Sequence, residues 1–138
     1  MPNSEMETTI DFRLDNRSGV PAYLQIVQQV RQALRLGLLT LNDQLPTVRE
    51  VVSKIAINPN TVFKAYRELE AEGLVESRPG LGTFVIRTLA DNSIAHHESL
   101  RRKLLKWVQE SRAAGLTDES IEALFLSVLH ATESEAHK

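Results

Sequence analysis

Apolar residues recur at intervals of three and four positions along most of this chain, which is the spacing that places them on one face of an α-helix. The first such stretch opens at Pro21 and is predicted to run to about Leu38. Proline suits the first turn of a helix, where its missing N–H costs little. We expect this helix to pack behind the elements that follow and to complete a three-helix core. Its apolar positions are Tyr23, Val27, Val30, Leu34 and Leu38.

Two shorter helices are predicted next, because each begins with a recognisable cap. Thr47 and Glu50 have the spacing of a capping box, in which a hydroxyl and a carboxylate each accept a hydrogen bond from a free backbone N–H. Asn58 followed by Pro59 marks the second helix start, and Gly73 fits the left-handed residue that ends a helix. The apolar faces are Val48, Val51, Val52 and Ile55 in the first helix, and Val62, Ala65, Tyr66 and Leu69 in the second.

The second of these helices is polar and cationic on its outer side. Two β-prone runs follow it, residues 74–77 and 83–86, joined by a turn at residues 78–82. Helix, turn, helix and hairpin in this order form a winged helix, whose second helix enters the DNA groove in a helix-turn-helix protein. A small α+β core with an ordinary solvated helix is the alternative interpretation. The residues predicted to lie partly or wholly outward are Asn60, Thr61, Phe63, Lys64 and Arg67.

The two ends of the chain carry weaker patterns. Residues 10–15 alternate apolar and polar side chains, as a short half-buried strand does, and residues 1–9 are expected to be disordered. After a polar linker at residues 88–93, a helix is predicted over residues 94–114, with Gly115 as its stop. Thr117 is expected to cap a last helix, and the polar residues after His130 are expected to fray.

These last two helices carry more apolar surface than a two-helix hairpin can bury by itself. The simplest partner for that surface is the same hairpin of a second copy, and the alternative is that the hairpin packs back on the winged helix. The residues expected at the dimer interface are Leu100, Leu104, Trp107, Val108, Ile121, Leu124, Phe125 and Val128.

Together these elements predict a mainly α (α+β) fold, in which an N-terminal winged helix-turn-helix is followed by a two-helix C-terminal dimerisation hairpin. The predicted domains are an N-terminal arm with a short strand at residues 1–19, a DNA-binding domain at residues 20–87 and a dimerisation domain at residues 88–138. The formal net charge of the 138-residue chain is −2. Residues 20–87, however, carry eight cations and six anions, a mild positive balance in the segment where DNA would bind.

Four motifs stand in order between Leu45 and Val85. They read L-P-T-V-R-E-V-V from Leu45, N-P-N-T-V from Asn58, A-Y-R-E-L-E-A-E-G-L-V from Ala65, and R-P-G-L-G-T-F-V from Arg78. In residue type and spacing they closely resemble the N-terminal domain of the GntR family of bacterial transcription regulators. The short two-helix tail is similar to that of the YtrA subfamily. Leu41-Asn42 departs from the family's Pro-Gly, but asparagine tolerates a left-handed turn, so we expect the turn to be kept.

The resemblance implies a sequence-specific DNA-binding regulator that acts as a homodimeric repressor on an inverted-repeat operator, including that of its own operon, often one encoding an ABC-type transporter. The start of the second short helix would enter the major groove, Arg49 would reach a guanine edge or a phosphate, and the hairpin turn would lie against the minor groove. The residues expected to contact DNA are Thr47, Arg49, Asn58, Asn60, Thr61, Lys64, Arg67, Arg78 and Gly80.

Enzymatic chemistry finds no support in the sequence. His96 and His97 are adjacent, so on a helix they project about 100° apart and do not share a metal easily, and His130 and His137 do not complete a ligand set. No serine lies in G-x-S-x-G, and residues 80–82 lack the rest of a phosphate-binding loop. There is no cysteine, which excludes disulfides and thiolate metal sites. No cofactor or metal is expected.

No apolar run of about 18 residues and no signal peptide is present, so we expect a cytoplasmic bacterial protein that does not enter the membrane. Two other functions fit the same residues. One is a winged helix used as a protein-interaction module without DNA. The other is a sensor that holds a small-molecule effector between the tail and the DNA-binding domain, although no cluster of polar residues defines such a pocket.

Overall fold

The computed structural model describes residues 10–90 and 98–136, with side chains through residue 133. The chain divides into two compact units, residues 1–96 and 97–138. The first unit contains helices α1 (Ala22–Arg35), α2 (Val48–Lys54) and α3 (Pro59–Ala71), followed by strands β1 (Val75–Arg78) and β2 (Gly82–Val85). The second unit contains helices α4 (Glu98–Ala113) and α5 (Asp118–Ala136). This mainly helical architecture with a small antiparallel sheet confirms the predicted fold class.

The core of the first unit lies between α1, α3 and the β1–β2 hairpin. Burying one aliphatic side chain stabilises a fold by roughly 1.5–3 kcal/mol, so this cluster fixes how α3 is held. Arg31 of α1 adds an ion pair across the same helices, because its Nε and Nη2 atoms donate hydrogen bonds to the two carboxylate oxygens of Glu72. Fully buried members of the core include Ile26, Val30, Leu34, Val62, Leu69 and Val85.

Helix α1 ends earlier than its apolar spacing predicts. Gly37 adopts a left-handed conformation with φ of 77°, and the N–H of Leu38 then donates to the carbonyl of Ala33 at 2.8 Å. This reversal turns Leu38 into solvent, where it is 59% exposed, and Leu39 enters the core instead. The prediction that Leu38 lies on the apolar face is therefore wrong, because the face is defined only as far as the helix continues.

The predicted starts of α2 and α3 are confirmed. The N–H of Glu50 donates to Thr47 Oγ1 at 3.1 Å, and the N–H of Thr47 donates to Glu50 Oε1 at 2.8 Å, so the capping box is complete. Asn58 Oδ1 accepts from the N–H of Asn60 at 2.8 Å, ahead of Pro59. These caps fix where α3 begins, and therefore which of its side chains lie at the exposed end.

The hairpin has a shorter turn than the sequence predicts, and a third segment pairs with it. Arg78 pairs with Gly82, and the N–H of Leu81 donates to the carbonyl of Arg78 at 2.9 Å. This is a type II turn, because Pro79 is its second residue and Gly80, its third residue, is left-handed with φ of 76°. Residues 42–45 also pair with β2, through hydrogen bonds that include Leu45 N–H to Thr83 O at 2.9 Å.

The turn that leads into this extra pairing keeps the conformation expected of it, since Asn42 is left-handed with φ of 72°. Glycine suits position 82, where the segment crosses the hairpin, because its φ of 131° is one that residues with a side chain rarely adopt, and a Cβ there would also displace Gln44 Nε2, at 2.4 Å. The same Nε2 donates to the carbonyl of Leu81 at 3.1 Å. The β1–β2 hairpin and its turn, which form the wing, are thus held at their base to the rest of the unit.

The predicted strand at residues 10–15 does not form. The segment is extended and buries Phe12, but two glutamine side chains of α1 take the place of a neighbouring strand. Gln29 bonds the N–H and carbonyl of Arg13, and Gln25 bonds those of Asp15, at 2.6–3.0 Å. Burial therefore alternates along the segment without strand pairing, because the side-chain amides make the hydrogen bonds that a neighbouring strand would make with the backbone. The prediction for residues 1–9 lies outside the described residues.

The second unit is a helical hairpin. Gly115 is left-handed with φ of 96°, and Thr117 Oγ1 accepts from the N–H of Ser120 at 3.1 Å, so the predicted stop and cap are confirmed. The polar residues after His130 are helical as far as Ala136, the end of α5, and their fraying stays a prediction. The predicted helix start at residue 94 and residues 91–93 of the predicted linker fall outside the described residues. No helix in the described ranges is long and apolar enough to cross a membrane.

Candidate nucleic-acid interface

The outer face of α3 is formed by the residues that the apolar periodicity assigns to it. Asn60, Lys64 and Arg67 are exposed, whereas the inward residues of the helix are buried. Within the described residues, the Asn60 side chain and the Arg67 guanidinium have no hydrogen-bond or ion-pair partner. Thr61 is half-buried on the flank of this face. The centre of the surface is therefore an amide and a guanidinium, two groups that bind base edges and phosphates.

Helix α2 adds a further cation. Arg49 is exposed, and no carboxylate in the described part of the chain pairs with its guanidinium. Thr47 is also exposed, although its hydroxyl oxygen already accepts the cap hydrogen bond. Asn58 is likewise exposed, but its Oδ1 already accepts the hydrogen bond that caps the start of α3. Arg49 is thus free to bind a ligand, whereas Thr47 and Asn58 first serve the helix starts.

Lys64 lies at the edge of the surface that adjoins α1. Its Nζ is 4.1 Å from the centroid of the Tyr23 ring, a distance at which an ammonium is attracted by the ring face. Tyr23 is half-buried against the core, as expected of a mainly structural residue. The ring restricts the lysine side chain but leaves its ammonium exposed, so Lys64 remains available to a phosphate.

Arg78 of the wing is more constrained than the sequence predicts. Its Nε donates to Glu76 Oε2 at 2.7 Å, and its Cζ is 4.4 Å from the centroid of the Phe84 ring. The guanidinium is therefore stacked and partly neutralised. Its remaining N–H groups can still reach a phosphate, but with less net charge than a free arginine offers. Gly80 stands at the tip of the turn and is exposed.

An open cleft of about 460 Å³ separates α3 from the wing. Glu70 of α3 crosses it, and its Oε2 accepts from the N–H of Ser77 at 3.2 Å. Phe63 lines the same cleft and is 47% exposed. Neither residue was among the predicted site residues. The outward position of Phe63 follows from helical spacing, whereas the contact of Glu70 with β1 needs the fold.

Beneath the surface, a buried tyrosine ties α3 to the start of α2. Tyr66 Oη donates to the carbonyl of Pro46 at 2.6 Å. Burial, and then the nearby charge of Glu50, raise the pKa of the Tyr66 hydroxyl well above its usual range. Tyr66 therefore stays protonated and keeps donating, which fixes Arg49 relative to the face of α3.

In the second unit, the predicted interface residues are divided between a cleft and an exposed surface. Leu104, Trp107, Val108, Ile121 and Phe125 line a cleft of about 290 Å³ between α4 and α5. Ile121 is already buried within one chain. Leu100, Leu124 and Val128 are exposed and are not part of the cleft lining. Four further apolar residues outside the predicted interface are also exposed, namely Leu105, Leu116, Leu126 and Leu129.

No group of three or more His, Asp or Glu residues in the described ranges is placed to hold a metal ion. His130 is described without such neighbours, whereas His96, His97 and His137 lie outside the described residues. The surface offers hydrogen-bond donors, cations and one aromatic ring, which suits binding to a polyanion.

Comparison with known proteins agrees with this geometry. Residues 22–85 match the model of the gntR family of bacterial regulatory proteins. The chain is 36% identical over 120 residues to the HTH-type transcriptional repressor YtrA of Bacillus subtilis, covering 74% of this chain and 92% of that one.

Two solved structures share the fold. One is a transcriptional antiterminator from Listeria monocytogenes, with a TM-score of 0.55 and 30% identity over 87% of this chain and 90% of that one. The other is YtrA from Sulfolobus acidocaldarius, a GntR-family transcription factor, with a TM-score of 0.53 and 26% identity over 77% of this chain and all of that one. The chain therefore belongs to the GntR family of bacterial regulatory proteins, and it is a DNA-binding transcription regulator of the YtrA type, not an enzyme.

Proposed function

We propose that this regulator is a homodimeric repressor that binds an inverted-repeat operator, with one α3 helix in the major groove of each half-site. The observation that carries the proposal is the pair Arg49 and Arg67, both exposed and both without an ion-pair partner in the described part of the chain. Two other arginines of this unit are engaged by carboxylates. Arg31 pairs with Glu72 and Arg78 with Glu76. Unpaired cations beside the exposed start of a short helix suit phosphate and base contacts.

Within this surface we assign different tasks to different residues. Asn60 lies at the exposed end of α3, and its amide has the bidentate geometry that fits an adenine edge. Arg49 and Arg67 read a guanine or bind phosphates. Lys64, supported by Tyr23, binds the backbone. Gly80 lets the wing approach the minor groove closely, because no side chain stands at the tip of the turn.

The dimer rests on the apolar surface of the second unit. Leu100, Leu104, Leu124, Phe125 and Val128 are 40–55% exposed in the single chain. A two-helix hairpin has no further layer to cover such residues. The partner that fits is the same surface of a second copy, since most soluble oligomers are closed symmetric dimers. Five half-exposed side chains per protomer, each contributing roughly 1 kcal/mol on burial, can hold such a dimer together.

Charge supports the same pairing. Helix α4 carries five cations and two anions, whereas α5 carries five anions and neither lysine nor arginine. A two-fold arrangement that brings α4 of one copy beside α5 of the other joins opposite charges and disfavours α5 beside α5.

The targets follow from the family. One relative is named a transcriptional repressor, and we propose that this chain also represses transcription, in the bacterial cytoplasm, by occluding a promoter. Its operon and an associated ABC-type transporter are the targets that the family resemblance suggests. An operator shared by two α3 helices should consist of half-sites about one DNA turn apart, or a multiple of it.

The test is selection of bound duplexes from a random pool by the full-length protein, with light scattering at the same concentration. We expect an inverted repeat bound by a dimer, with affinity that falls steeply as salt rises. A failure to enrich any duplex would refute DNA recognition. Enrichment of a single half-site by a monomer would refute the dimer but keep the DNA-binding surface.

A further inference from the structure

Phe63 is the one large hydrophobic side chain that α3 exposes. It is 47% exposed, whereas Val62, Ala65 and Leu69 are fully buried and Tyr66 is nearly so. Half-exposing a phenylalanine forgoes a large part of the stabilisation that its burial would contribute. The fold therefore gains less from this phenyl group than from a buried one, and the exposed part of the ring is available to a ligand.

The position of Phe63 on the helix decides what it can meet. Successive helical residues are about 100° apart, so Phe63 lies about 60° from Asn60 and about 40° from Arg67 around the axis. It occupies the side of the outer face that borders the cleft toward the wing. A base edge presented to Asn60 and Arg67 would therefore lie against the ring as well.

The chemistry of the major groove leaves one suitable partner for a phenyl ring. Base edges there carry hydrogen-bond donors and acceptors, apart from the C5-methyl group of thymine. A ring placed on a guanine, adenine or cytosine edge would strip water from polar atoms without replacing its hydrogen bonds. A ring placed on the methyl group removes apolar surface from water on both sides.

We propose that Phe63 is a specificity-determining residue that selects thymine in each half-site by packing on its C5-methyl group. This inference rests on the proposed insertion of α3 into the major groove and names one base that the surface reads. It also predicts that 5-methylcytosine is accepted at that position better than cytosine, because it offers the same methyl group.

The test uses the best duplex that the full-length protein selects from a random pool, made once with thymine and once with deoxyuridine throughout. Deoxyuridine keeps the base pair and loses only the methyl group. Loss of one buried methyl group corresponds to a dissociation constant about fourfold higher. We expect wild type to prefer the thymine duplex by about that factor per contacted methyl, and Phe63→Ala to show a ratio near one.

Three further variants isolate the contact. Phe63→Leu keeps an apolar side chain and should retain most of the preference. Lys64→Ala should weaken binding to both duplexes alike and leave their ratio unchanged, since its contact is with phosphate. Leu38→Ala removes a similarly exposed apolar side chain that does not belong to α3 and should change neither affinity. Circular dichroism melting checks that each variant is folded.

A wild-type ratio near one, or the same ratio in Phe63→Ala, would overturn the inference. The inference would also be overturned if Phe63→Ala bound the thymine duplex as tightly as wild type, because the ring would then contact only the protein. Failure to select any duplex would instead refute the proposed function, so the two failures are distinguishable.

Discussion

Replacing Arg49 by alanine tests the DNA-facing surface most directly. Arg49 is exposed and has no ion-pair partner in the described residues, so its loss should change the free energy of unfolding by less than about 0.5 kcal/mol. If the guanidinium binds a guanine edge, affinity for the operator should fall by about 1–3 kcal/mol per protomer, or about 5- to 150-fold. Discrimination at that base should fall with it.

The two possible contacts of Arg49 give different salt dependences. A phosphate contact would weaken binding to specific and scrambled duplexes alike, and the slope of log affinity against log salt would shrink by about one per protomer. A base contact would weaken the specific duplex more than the scrambled one. Fluorescence anisotropy with both duplexes at several salt concentrations separates these outcomes.

Arg31→Ala is the matched control, because it removes an arginine that is engaged inside the unit. Its ion pair with Glu72 joins α1 to α3, and both side chains are partly exposed. Urea unfolding should therefore show a loss of up to about 1 kcal/mol, with DNA affinity unchanged. If Arg49→Ala binds both duplexes as wild type does at every salt concentration, the assignment of the DNA-facing surface is wrong.

Three other perturbations probe different parts of the molecule. Asn60→Ala should leave the melting temperature nearly unchanged but alter the duplex selected from a random pool; a large loss of stability with the same selected duplex would make Asn60 structural. Tyr66→Phe removes the hydrogen bond to Pro46 and should cost about 1–2 kcal/mol. Since the pKa of Tyr66 is raised in the fold, the stability that its hydroxyl contributes should be constant below about pH 10, the pKa of an unfolded tyrosine, and decline above it; urea titrations in which Tyr66→Phe declines just as steeply above that pH would contradict this. Cutting the chain after Ala90 keeps Leu89, which packs on the core beyond the predicted domain boundary at residue 87, and should give a folded monomer by light scattering that binds a whole operator far more weakly than the intact protein. A fragment that binds as tightly as the whole chain would show that the tail does not join two DNA-binding units.

The sequence by itself determined the framework of helices and turns wherever the stabilising atoms are close along the chain. The capping box of Thr47 and Glu50 spans three residues, and Gly73 ends α3 with a left-handed φ of 77°. Such contacts depend on local geometry alone. The outer face of α3, with Asn60 and Arg67 at its centre, follows from the apolar periodicity for the same reason.

Tertiary structure decided which of the alternative partners each group meets. Arg78 is held by Phe84 and Glu76, whereas Arg49 and Arg67 remain unpaired among the described residues, although all three are arginines near the predicted surface. Helical spacing does not tell these cases apart, because Phe84 lies on the neighbouring strand, and Glu76, two residues before Arg78, faces it only once that strand has formed. An ion pair neutralises the charge that DNA would otherwise meet.

The extended segments show the same limit. The alternation at residues 10–15 predicts a strand, but the fold offers the side chains of Gln25 and Gln29 as the hydrogen-bonding edge. Residues 42–45 show no strand pattern, yet they pair with β2. A strand needs a neighbour that can lie far away in the chain, so its formation is decided by packing, whereas a helix closes its hydrogen bonds within four residues.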